Sequence, residues 1–151
     1  MSTHIERTFP NLLLTGYQIT SPATAEYNCI AWAAEDDTAW WWSDAYGLGY
    51  WPPQAPRMET LEAFIAAYGL IGYQPCSDAQ LEAGYEKIAV YVDAAEVPTH
   101  AARQLPSGQW TSKLGEWEDI EHHALDGLYG NTYGRVGQVL RRLIEGGAPG
   151  N

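Results

Sequence analysis

The sequence predicts one domain of the α+β class, with helices gathered in its first half and strands in its second. Three observations lead there. The chain has 151 residues, which suits one hydrophobic core. Alanine-rich and amphipathic stretches come first, and β-branched, alternating ones follow from Glu86 onward. No internal repeat or long linker separates the two halves, so they are expected to share one domain spanning 1–145. Residues 146–151, Gly-Gly-Ala-Pro-Gly-Asn, have nothing to pack and are expected to form a disordered tail. Segregated helices and strands do not fit a doubly wound sheet.

Ser21, Pro22 and Thr24 signal a loop before Tyr27–Ala34, where alanines favour a helix, Ile30, Ala33 and Ala34 share a face, and Asn28 suits the cap. A loop follows, containing Trp40, Trp41, Trp42, Gly47 and Gly49, and it closes at Trp51-Pro52-Pro53. Its rings read either as core or as the wall of a cleft that stacks on a peptide or sugar. Leu61, Phe64, Ile65 and Tyr68 recur at helical spacing, which predicts a packing helix over Met58–Tyr68, stopped by Gly69 or Gly72. Tyr73–Cys76 reads as a short strand.

Lys87-Ile-Ala-Val-Tyr-Val92 has high strand propensity. With the segments entering at His100 and Gln109, joined by the Pro106-Ser107-Gly108 turn, it predicts an antiparallel meander. The acidic stretch Glu116–Glu121 reads as a solvated face, and a short helix is expected near His122–Leu128. A final helix over Tyr133–Ile144 would bury Val136, Val139, Leu140 and Leu143.

Composition limits the partners. With 8 basic against 19 acidic residues and a net charge of −11, the chain repels phosphate backbones, so neither nucleic acid nor an anionic membrane surface is expected to bind. A protein or peptide is the expected partner, and the oligomeric state is not set by composition. No run approaches the roughly 20 apolar residues of a membrane span, and the start lacks a signal core, so a cytoplasmic location is expected. Two cysteines without C-x-x-C spacing argue against structural zinc, and no metal or cofactor is expected.

Of the two cysteines, Cys29 is the better nucleophile, because a helix start offers its dipole and free backbone N–H groups to a thiolate or an oxyanion. His100 is the better base, because it leads into a strand directly after a loop. His122 or His123 is its rival.

The blocks Tyr27-Asn28-Cys29-Ile30-Ala31-Trp32-Ala33, Thr99-His100-Ala101-Ala102-Arg103-Gln104 and Trp110-Thr111-Ser112-Lys113-Leu114-Gly115 resemble those of small bacterial papain-like proteins. They are similar in order and spacing to the NlpC/P60 clan of cysteine hydrolases, and closer to a bacterial family of uncharacterised function. The likeness runs from about Leu14 to Arg142. It implies a papain-like domain in which an N-terminal helix bearing the cysteine packs on a small antiparallel sheet. It also implies roles for Tyr17, twelve positions before Cys29, at the oxyanion, and for Ser112, twelve after His100, in orienting the imidazole. The chain departs from the pattern at Ser112, where His, Asn or Gln is usual, and Gln109, Glu118 or Asp119 is the alternative orienter. It also has Ala23 where a papain-type glutamine would stand. The implied activity is hydrolysis of an amide in a peptide, isopeptide or glutamine side chain. The alternative is a catalytically silent module that binds or neutralises another protein.

Overall fold

A seven-stranded, wholly antiparallel sheet dominates the computed structural model, which describes residues 3–44 and 46–144. Two short helices, α1 (Thr3–Thr8) and α2 (Leu12–Thr15), lead into β1 (Tyr17–Ser21). Helices α3 (Cys29–Ala33) and α4 (Leu61–Gly69) precede β2 (Gln74–Cys76), β3 (Tyr85–Val92), β4 (Pro98–Gln104), β5 (Trp110–Lys113) and β6 (Asp119–His122). A 3-10 turn at Leu125–Leu128 and β7 (Arg135–Leu143) complete the described chain, and the strand order is β1-β6-β5-β4-β3-β7-β2.

This overturns the expected fold. The domain is not an α+β papain-like one built on an N-terminal, cysteine-bearing helix. Its helices have four to nine residues, and Cys29 opens the third of them, five residues long. The helix expected over Tyr133–Ile144 is β7, lying between β3 and β2. The helix expected near His122–Leu128 resolves into the end of β6 and the 3-10 turn. The meander β3-β4-β5 and the Thr60-capped α4 form where expected. The tail expected at 146–151 lies outside the described residues.

Alternation along the strands sends side chains to two separate cores. Ile88, Val90 and Ala101 face α3, α4 and Trp51. Ala89, Tyr91 and Ala102 face α1, with Ile5, Phe9 and Leu12. Backbone approaches at the β3–β7 seam leave no room for side chains at two positions. A Cβ on Gly134 (φ +76°) would lie 2.0 Å from Val92 O, and one on Gly137 would lie 2.8 Å from Val92 Cγ2.

Candidate functional site

Cys29 is placed by Asn28, whose extended backbone and side-chain carbonyl cap α3 through the Ala31 N–H at 3.2 Å. The same Oδ1 accepts from Trp41 N–H at 3.0 Å, and Nδ2 donates to Trp41 O at 2.7 Å. One buried amide therefore fixes the helix start and clips the aromatic loop to it. A five-residue helix sums few peptide dipoles, so the thiol's electrostatics come from individual amides instead. The thiol is buried, and burial pushes it up to about 11. Backbone N–H groups of Ala101, Ile30 and Cys29, with the charge of Lys113, pull the other way.

His100 is fully buried on β4, on the α1 side of the sheet, beside its cross-strand partner Tyr91. Its ring stacks on Tyr133 with centroids 4.0 Å apart and planes inclined by 12°. Nε2 lies 3.0 Å from Ser112 Oγ, which lies 2.8 Å from His122 Nε2, and His122 Nδ1 lies 3.1 Å from Ala124 O. Chemistry fixes the polarity of this chain. A carbonyl only accepts, so His122 carries its proton on Nδ1, and burial holds that ring neutral by pushing it down to about 4. Its Nε2 must then accept from Ser112 Oγ–H, and Oγ in turn accepts from His100 Nε2–H. Burial, with His122 nearby, also holds His100 well below the ordinary imidazole range. The chain ends at His100 Nδ1, a bare lone pair that is buried and without a hydrogen-bond partner.

Thiol and imidazole meet at one peptide unit. The amide that steadies Sγ belongs to Ala101, which is bonded to His100. Cys29 and Ala101 pack in the core under α3, and the His100 ring lies on the opposite face. The β4–β5 ladder pairs only Arg103 with Thr111 and Gln104 with Trp110, so the first half of β4 is unpaired on that side. His100 reaches Ser112 diagonally across this gap. No hydrogen bond joins Sγ to the imidazole.

Of the four residues singled out in the sequence, the structure thus joins His100 to Ser112 and brings Cys29 to the next peptide. Tyr17 goes elsewhere: its hydroxyl donates to Glu6 Oε2 at 2.7 Å, which ties it to α1. Two of the alternative orienters are also committed, Glu118 to His4 at 2.9 Å and Asp119 to the Tyr27 hydroxyl at 2.6 Å.

Sequence reading missed two participants and misplaced a third. His122, read as a rival base near a short helix, joins the chain from the end of β6. Asp119 is fully buried, contrary to the solvated face expected of the acidic stretch. Lys113, also fully buried, donates to Thr24 O at 2.7 Å and to Gly115 O, and sits 5.1 Å over the Tyr27 ring. The available signal was the meander itself, because Lys113 and Asp119 pair across β5 and β6 on the face that α3 covers.

Among the described residues, no group of three or more His, Cys, Asp and Glu side chains is arranged to hold a metal ion. No helix there is long and apolar enough to cross a membrane. Both cysteines are free thiols.

Fold and site together define a sheet-centred domain that encloses a cysteine beside β4 and a polarised histidine–serine–histidine chain across β4, β5 and β6. The chain belongs to the family described as Domain of unknown function (DUF7689), whose model matches residues 18–141. No curated protein matches it, and no solved structure does.

Proposed function

We propose that the domain is a cysteine-dependent hydrolase of amide bonds, with Cys29 as nucleophile and His100 as base. The bare Nδ1 of His100 carries this reading, because a fully buried, unsatisfied acceptor is rare and here it is the terminus of a chain of fixed polarity. It is the tautomer a thiol requires: once opening of the β4 seam brings ring and thiol to one side, Nδ1 takes the proton from Sγ as sulfur bonds to the carbonyl carbon, and returns it to the departing amine. Water then cleaves the thioester. The N–H groups of Ala101, Ile30 and Cys29 that surround Sγ are the available oxyanion donors. The substrate is an amide of a peptide, isopeptide or glutamine side chain, and two free thiols suit a reducing, cytoplasmic setting.

One observation favours a second reading, in which the domain is a silent protein-binding module. Sγ and the imidazole are both enclosed and neutral at rest, so turnover requires the seam at β4 to open. Iodoacetamide labelling at pH 7, read site by site by mass spectrometry, separates the two. A thiol ionising near 11 with no base would react about 100-fold more slowly than an ordinary one near 9. The hydrolase reading expects Cys29 to react faster than an unstructured thiol, and to lose about tenfold or more in His100→Ala. Slow labelling that His100→Ala leaves unchanged supports the silent module.

A further inference from the structure

The loop between α3 and α4 holds a feature that chemistry at Cys29 does not use. Trp41 and Trp51 are buried, and Trp42 and Trp51 pack on Phe64 at 5.9 and 5.0 Å between centroids. The tip does the reverse: Tyr46 is 89% and Leu48 87% exposed. These apolar side chains stand on a braced backbone. The Asp44 carboxylate accepts from the N–H groups of Tyr46, Leu48 and Gly49. Arg57 crosses the base, donating to Asp44 O at 3.0 Å and Gly49 O at 2.9 Å, and it pairs with the Asp44 carboxylate at 3.3 Å. Trp42 N–H donates to Tyr50 O, and Tyr50 N–H to Trp40 O. A loop held this firmly presents its apolar tip at little further entropic cost, as a recognition element should.

Charge identifies what would fit. From Glu35 to Glu62 the chain carries six carboxylates and one cation, Arg57. Glu35 pairs with Arg142 and Asp44 with Arg57. Asp36, Asp37, Glu59 and Glu62 have no cationic partner among the described residues. Asp36 is anchored to the loop by Trp41 Nε1–H at 2.8 Å, and Glu59 follows the arginine clamp by two positions. An apolar tip borne on a stretch of chain whose carboxylates are mostly unneutralised complements a surface of the opposite design.

We infer that Tyr46 and Leu48, on the loop that Asp44 and Arg57 brace, form a docking element for a cationic polypeptide that inserts an apolar pocket or ridge between basic side chains. This holds whether or not Cys29 turns over a substrate. The test titrates the full chain with a synthetic amphipathic lysine–leucine peptide and its glutamate–leucine counterpart, followed by calorimetry. The expected result is binding of the lysine peptide only, weakened about tenfold or more in Tyr46→Ser/Leu48→Ser and less steeply in Asp37→Asn/Glu59→Gln. Leu13→Ser/Leu14→Ser serves as the control, because Leu13 and Leu14 are 60% and 88% exposed on α2. Equal losses in the two serine double variants would reduce the effect to general stickiness and overturn the inference, as would equal binding of the two peptides. All three exposed-site variants should keep the wild-type circular dichroism spectrum.

Discussion

The two cysteines occupy opposite kinds of environment. Cys76 ends the edge strand β2, half-buried beside a polar cavity of about 400 Å³ bounded by Asp78, Glu82, Lys87 and Arg141. Its Sγ donates to Asp78 O at 3.4 Å, and every charge around it has a partner: Lys87 reaches Asp78 and Glu82, and Arg141 reaches Glu82. Cys29 lies against an interior strand without solvent, near a buried lysine, a buried aspartate and an imidazole lone pair with nothing bound to it. Near Cys76 every charge is paired, the buried Lys87 ammonium included, and its carboxylate partners reach solvent. Near Cys29 the Nδ1 of His100 is buried without a partner, which costs stability.

That contrast can be broken most forcefully at Asn28. Replacing it with alanine removes the cap of α3 and strands Trp41 N–H and O, with an expected loss of about 4 kcal/mol in urea denaturation. It should also move the labelling rate of Cys29 toward that of an unstructured thiol. Acid comes next. His122 ionises near 4 in the fold against 6.5 in the open chain. Its stabilisation is therefore complete above pH 6.5 and is lost as pH falls toward 4, by about 3 kcal/mol. His100 shifts in the same direction. Unfolding midpoints at pH 7, 5.5 and 4 would show this, and the loss over that range should shrink in His122→Gln. Ser112→Ala should cost about 2 kcal/mol, because it leaves two imidazole nitrogens facing no partner. Should the hydrolase reading hold, the same variant should also slow labelling of Cys29. The smallest effect belongs to Cys76→Ser, within about 0.5 kcal/mol of wild type, because that side chain has room and water.

Legibility in the sequence followed the same division between the sheet and its covering. Residues 87–92 announced a strand through propensity alone, and Asn28 announced a helix start through capping chemistry that survives any tertiary context. β7 was misread for a traceable reason. The β3–β7 register shifts between Val90 and Tyr91, so Gly137 is an extra residue and Val136 and Val139 fall on one face though three apart. A bulge thereby counterfeits helical spacing. With Leu140 buried on the other face, the period of two that would have exposed a strand is lost. The site was half legible. His100 and Ser112 do share a hydrogen bond, but His122 enters from a strand that acidic neighbours disguised, and Tyr17 is committed to Glu6. Of the tryptophan cluster, Trp41 and Trp51 go to the core while Trp40 and Tyr50 stay exposed.

Asn28 makes two regions of this molecule thermodynamically dependent on each other. Its single carboxamide holds both the N–H that starts α3 and the backbone of Trp41, which begins the aromatic loop. A displacement of that loop cannot leave the helix start unchanged. Linkage makes the dependence mutual: the factor by which an occupant of the loop shifts the equilibrium between closed and open seams equals the factor by which that shift alters the occupant's affinity.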